Sequence, residues 1–230
     1  MGTKKILSDY LPILFAAVLI VYFAIEKEQS FFKTLPTLVT LGVQLMMCRA
    51  NRFGFLVGGM NALLYGLGYL SEGLYFTSVN CILISAPVQF VSFINWSKKQ
   101  TGTNHTELRI MPLRIWIISL AVALAGWAIT ALLLAPFFKD ARMPGFDTFL
   151  FAWGLVYPIL AALRYVESQY LSAFGGLISI IMWSIICAAQ PSNLNYLIIN
   201  CYSEFMVIKT AINWTKQYRQ DQLLAEGGTQ

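Results

Sequence analysis

The sequence predicts an all-α integral membrane protein of about eight transmembrane helices, built as one extra N-terminal helix followed by a 3+1+3 arrangement. Three observations carry this. The chain is 57% hydrophobic and only 12% charged, with mean hydropathy +0.63, whereas soluble domains carry about 25% charged residues. Its apolar residues come in long blocks, and a bilayer core of about 30 Å needs roughly 20 mostly apolar residues as helix. The pentapeptides INWSK at 94–98 and INWTK at 212–216 each close such a block.

The blocks run at about 8–25, 34–48, 53–71, 74–96, 115–138, 146–163, 171–189 and 194–214. Backbone groups in lipid need internal partners, so each reads as a helix. The first follows Lys4 and Lys5, but it is long and "FAIEKEQS" makes a poor cleavage site, so it is read as a retained helix. With eight spans, one side carries Lys4, Lys5, Arg49, Arg52, Lys98, Lys99, Arg109, Arg114, Arg164, Lys216 and Arg219, and the other only Lys27, Lys33, Lys139 and Arg142. Positive residues mark the cytoplasmic side, which puts both termini inside. The net charge of +5 is then mainly topogenic, and no clustered basic surface with a recognition fold suggests nucleic acid.

A glycine pair precedes each pentapeptide. Gly59 to Asn95 spans 36 residues and Gly176 to Asn213 spans 37. Behind each pair stands a helix ending near Arg49 or Arg164. The pattern reads as a duplication of three helices. Copies with an odd number of helices are parallel only if an odd number separates them, and 115–138 supplies one. The expected units are 1–33 (extra helix), 34–100 (first repeat), 101–145 (cytoplasmic loop and linker helix), 146–218 (second repeat) and 219–230 (a short tail expected to fray). Parallel repeats about an axis normal to the membrane are a transporter architecture with a site near the midplane. Trp96 and Trp214 read first as interfacial residues marking a helix end.

With that layout, and with "PVQFVSFINWSKK" leading into a basic loop, the chain resembles the PnuC-type vitamin transporters, the nicotinamide riboside transporter family. The resemblance implies a SWEET-like fold and a homotrimer in the cell membrane. It also implies facilitated diffusion of an unphosphorylated vitamin or nucleoside, such as nicotinamide riboside, trapped by a cytoplasmic kinase. No cofactor is implied. SWEET-type sugar carriers share the layout, but their Pro-Gln signature is absent, since Val88 separates Pro87 from Gln89. Sugar transport and proton-coupled symport remain the alternatives.

Polar residues in a bilayer are costly and usually face the bundle interior. Ser78, Ser85, Gln89, Ser92 and Trp96 share a face at helical spacing, as do Gly58, Asn61, Tyr65 and Gly68, and Tyr196, Asn200 and Glu204. Asn80 points away from Gln89 unless Pro87 kinks the helix. The substrate-site candidates are Asn61, Tyr65, Ser85, Gln89, Trp183, Asn200 and Glu204, with Trp183 and Trp153 as stacking partners for a ring. Small-residue helix packing competes with function for the glycines. Glu204 is the sharpest candidate: a lone carboxylate at that depth needs a partner or a proton. It is open to a cationic ring, ribose hydroxyls or a coupling proton. Cys48, Cys81, Cys187 and Cys201 lack metal-ligand spacing. The single histidine, His105, lies in the hydrophilic loop "KKQTGTNHTELR", and no paired-carboxylate, metal or nucleophile motif supports an enzyme.

Overall fold

The computed structural model describes residues 3–98, 100–101 and 105–227. Its helices are α1 (Thr3–Glu26), α2 (Phe31–Cys48), α3 (Phe53–Ser71), α4 (Tyr75–Lys98), α5 (Leu113–Phe137), α6 (Pro144–Ala162), α7 (Ser168–Ala189) and α8 (Leu194–Gly227). Besides these helices the described chain has a two-residue ladder pairing Gln100–Thr101 with His105–Thr106 and an isolated bridge between Arg109 and Tyr165. Six of these helices, α2 to α7, are long and apolar enough to cross a membrane, and α1 adds a shorter apolar stretch, Tyr10–Glu26. The last helix outruns the expected tail: it continues through "TKQYRQDQLLAEG", which lacks proline and favours helix formers.

Prolines shape the helix interiors. Pro87 has no N–H to offer the turn before it, and that turn, Asn80–Ser85, loosens into a π-helix. Pro136 follows a second π turn, Thr130–Leu134. Pro158 follows the break in α6 at Leu155–Val156.

Two runs of three consecutive helices, α2–α4 and α6–α8, close into a ring in which α2, α3, α4, α6, α7 and α8 each pack against the next and α8 returns to α2. The ring has two seams. At α4/α6, the buried Asp147 accepts from the backbone N–H groups of Phe76 (3.0 Å) and Thr77 (2.8 Å), satisfying free donors of the α4 N-terminus. Lower on this seam, Asn80 Nδ2 donates to the Phe151 carbonyl at 3.0 Å. At α2/α8, the Tyr202 hydroxyl donates to the Leu41 carbonyl at 3.2 Å. Helix α1 lies over that seam, with Ala16 and Ile20 packed among Leu41, Ile199 and Met206. Helix α5 stands outside the ring against α6.

The two pentapeptides fasten both seams at one end of the ring. Helices α2 and α6 terminate in the same motif, with Ala50 (φ 51°) and Arg164 (φ 68°) in the left-handed region. Ala50 N donates to Met47 O and Asn51 N to Met46 O; Arg164 N donates to Ala161 O and Tyr165 N to Leu160 O. This is the paired bonding of a Schellman cap, here without glycine. The carbonyls of Met47 and Ala161 therefore hold equivalent places in the two caps. Each accepts a second bond from an indole of the opposite run: Trp214 Nε1 to Met47 O at 3.3 Å and Trp96 Nε1 to Ala161 O at 3.2 Å. The two rings lie 5.3 Å apart, and Phe55 packs on Trp96 at 4.8 Å.

The interfacial reading of these tryptophans is corrected. Both are fully buried, in a cluster with Ala50, Phe55, Leu108 and Val166. An indole at a helix end can satisfy its N–H inside the protein as well as at the headgroups, and here the partner carbonyls lie within reach.

Replacing Trp96 or Trp214 with alanine is expected to cost about 3 kcal/mol or more, lowering the melting temperature of the detergent-purified protein by similar amounts. Because the rings touch, the double variant should lose less than the two single losses combined. Single variants that melt like the wild type would contradict this role.

Candidate functional site

The middle of the ring encloses two adjoining chambers. The first, about 300 Å³, is lined from all six ring helices, including Thr40 and Gln44 of α2, Asn61 and Tyr65 of α3, Ser85 and Gln89 of α4, Tyr157 of α6, Ser172 of α7 and Asn200 of α8. The second, about 230 Å³, is lined by Thr77 and Asn80 of α4, Trp153 of α6, Gly176 and Ser179 of α7 and Glu204 of α8, among others. Gln44, Tyr69, Cys81, Ser85, Tyr157, Ser172, Asn200, Ser203 and Val207 line both.

In the first chamber Asn61 Nδ2 donates to the Pro36 carbonyl (3.1 Å) and to Thr40 Oγ1 (2.9 Å), and Thr40 Oγ1 lies 3.1 Å from the Tyr65 hydroxyl. Asn61 Oδ1 is buried with no hydrogen-bond partner. Gln89 Nε2 donates to Ser85 Oγ at 3.3 Å. Its carbonyl end fills the space that a Cβ on Gly58 would occupy. In the second chamber Ser179 donates to Asn200 Oδ1 at 2.8 Å, and Asn200 Nδ2 donates to the Tyr196 carbonyl at 2.7 Å. Glu204 Oε2 takes the Cβ place of Gly176. Both carboxylate oxygens are buried with no hydrogen-bond partner, and the residue is 7% exposed.

Gly58 and Gly176 stand 118 positions apart, as Trp96 and Trp214 do. The two runs thus use one device, a glycine whose missing Cβ makes a notch for a long polar side chain from the next helix. The true register aligns Gly58, not Gly59, with Gly176. The side chains that enter the notches do not share that register, since Glu204 corresponds to Ala86 rather than to Gln89. The expected stripes on α3 and α4 thus bring Asn61, Tyr65, Ser85 and Gln89 together, and Asn200 and Glu204 join them from α8.

Trp183 does not line either chamber. It stacks on Tyr196 at 4.4 Å, with Tyr69 at 6.0 Å, in an aromatic cluster over one end of the cavity. Tyr196 goes with it, one turn of α8 beyond Asn200, while Ser78 bonds to the Gly66 carbonyl at 2.6 Å. Asn80, expected to point away, lines the second chamber because the π turn shifts its face. Beyond the aromatic cluster Glu72, at the end of α3, accepts from Lys33, from Arg142 Nη1 (2.8 Å) and from Asn193 Nδ2 (2.8 Å). It thereby ties together the start of α2 and the connections α3/α4, α5/α6 and α7/α8 at that end of the ring. Thr40 and Gln44, missed from the sequence, were visible as polar residues four apart in an otherwise apolar block.

The sequence model of the family described as nicotinamide mononucleotide transporter matches residues 30–216. The nicotinamide riboside transporter PnuC of Neisseria mucosa is 24% identical over 172 residues, covering 70% of this chain and 63% of its own length. The chain therefore spans under two thirds of that relative. A crystal structure of the vitamin B3 transporter PnuC superposes with a TM-score of 0.76 over 92% of each chain at 18% identity, which is likeness of fold.

Gly176→Ala sets a helix-propensity gain of about 1 kcal/mol against displacement of Glu204 and overpacking of about 1–3 kcal/mol. The variant is expected to melt lower, and Gly176→Ala/Glu204→Ala to regain much of the loss. A Gly176→Ala protein as stable as wild type would mean that Glu204 does not occupy the notch.

Proposed function

The chain belongs to the nicotinamide mononucleotide transporter family and is a multi-pass cell-membrane protein, and from that premise we propose that it carries an unphosphorylated, nucleoside-like vitamin or nucleoside, of the nicotinamide riboside type, by facilitated diffusion. The observation that carries this reading is the make-up of the two chambers. Among the described residues, no lysine, arginine or histidine lines either one, and Glu204 is the acidic group present. A phosphate monoester calls for arginine or lysine donors; a nucleoside calls for hydroxyl- and amide-binding groups beside aromatic rings. Asn61, Gln89, Ser85 and Asn200 provide the first, Tyr65, Tyr69, Tyr157 and Trp153 the second.

In this proposal α2–α4 and α6–α8 are parallel triplets of a SWEET-like 3+1+3 fold, with α5 as linker, α1 as an eighth span and both termini cytoplasmic. The repeated Schellman caps, the crossed tryptophans and the glycine notches support the duplication, with units near 34–100 and 146–218. Assembly as a homotrimer and trapping of the substrate by a cytoplasmic kinase complete the picture. The Glu72 clasp and the tryptophan pair are the closures at the two ends, and alternating access needs one to part while the other holds. Proton coupling is the second reading, carried by the unpartnered Glu204.

Reconstituted in liposomes without kinase or nucleotide, the protein is expected to equilibrate radiolabelled nicotinamide riboside in both directions, without accumulation, and to exclude its 5′-phosphate. Accumulation driven by an imposed proton gradient, or transport of the phosphate, would overturn facilitated diffusion of a nucleoside.

A further inference from the structure

We propose that Glu204 reads positive charge on the substrate: the second chamber holds a planar organic cation, and the hydroxylated part of the same molecule lies in the first chamber against Asn61 and Gln89. The inference rests on the nucleoside-transport reading and adds to it the charge and orientation of the cargo.

The geometry makes Glu204 a carboxylate held away from donors. Both of its oxygens lack a hydrogen-bond partner, and five of the donor-bearing side chains around its chamber are bonded elsewhere. Ser179 donates to Asn200, and the Asn200 amide donates to the Tyr196 carbonyl. The Asn80 amide donates to the Phe151 carbonyl, Trp153 Nε1 to the Leu171 carbonyl at 2.7 Å, and the Thr77 hydroxyl to Asp147 at 2.5 Å. Leaving a buried carboxylate without hydrogen bonds or a counter-charge is costly, so either a proton or a group that enters the chamber completes it, and the surrounding rings favour the latter.

Packing does not require the charge. The equivalent notch at Gly58 is filled by Gln89, an amide of the same length as glutamate. The fold thus builds the notch twice and loads only one copy with a carboxylate. The same chamber presents the ring of Trp153, and shares those of Tyr157 and Tyr69 with the first. Aromatic faces together with a desolvated carboxylate suit a delocalised cation, through ring-quadrupole attraction and charge pairing. A neutral ring gains only the stacking. The two chambers therefore differ in what they attract, and a substrate with a cationic ring and a neutral polyhydroxyl end has one favourable orientation.

The test compares nicotinamide riboside, whose pyridinium ring is cationic, with its dihydropyridine form, which has nearly the same shape and no charge. Binding is measured by calorimetry on detergent-purified wild type, Glu204→Gln and Gln89→Glu/Glu204→Gln. Wild type is expected to prefer the cation by about tenfold or more. Glu204→Gln should erase most of that preference by weakening the cation alone, and should melt no lower than wild type without ligand. Gln89→Glu/Glu204→Gln, which moves the charge to the first chamber, should not restore the preference. Equal weakening of both forms by Glu204→Gln, or no weakening of either, would overturn the charge reading. Equal affinity of wild type for both forms would overturn it too, with nucleoside transport left standing. Binding of neither form would instead bring down the nucleoside reading and this inference with it.

Discussion

A carbonyl at a helix end needs donors, and in a membrane protein water is often not there to supply them. The whole ring depends on how two such carbonyls are satisfied. Met47 and Ala161 each accept from their own Schellman turn and again from a tryptophan of the opposite run. Because each run lends its indole to the other, neither can move at that end without leaving a buried indole N–H short of a partner, at about 1–3 kcal/mol for each ring. The crossed bonds fix the two seams at once and force the six helices to enclose a space between the runs rather than collapse along one of them.

What that space contains follows from the glycine notches. Gly58 and Gly176 let Gln89 and Glu204 lie flat against a neighbouring helix, which keeps the middle open while leaving polar atoms on its wall. Aromatic packing flanks the cavity at both ends, Trp96 with Trp214 and Phe55 at one and Trp183 with Tyr196 and Tyr69 at the other. The end with the tryptophan pair is held by hydrogen bonds to backbone. The other is held by a charged clasp, Glu72 with Lys33, Arg142 and Asn193, whose parts can find water as a replacement when they separate.

Much of this was legible in the chain. The helices follow from block length, and the faces bearing Asn61, Tyr65, Ser85 and Gln89 from spacing within a helix. The meaning of INW was not legible, because the carbonyls that Trp96 and Trp214 reach lie 65 and 167 residues away in the opposite run. Asn80 reaches the cavity under the condition the sequence allowed, a helix distorted ahead of Pro87, although the distortion is a π turn rather than a kink. Trp183 has the composition of a ring-stacking residue, and nothing in its own helix shows that Tyr196 covers it. Glu72 drew no notice at a block end, since its partners come from the start of α2 and two distant connections.

The central claim is that the enclosed cavity is the transport path, and the native Cys81, on the wall of both chambers, reports on it directly. In proteoliposomes carrying a variant with Cys48, Cys187 and Cys201 replaced by serine or alanine, a small membrane-impermeant thiol reagent should modify Cys81. Nicotinamide riboside at concentrations that saturate uptake should slow that modification severalfold. A Cys81 labelling rate indifferent to saturating substrate would place the path somewhere other than between the two helix runs.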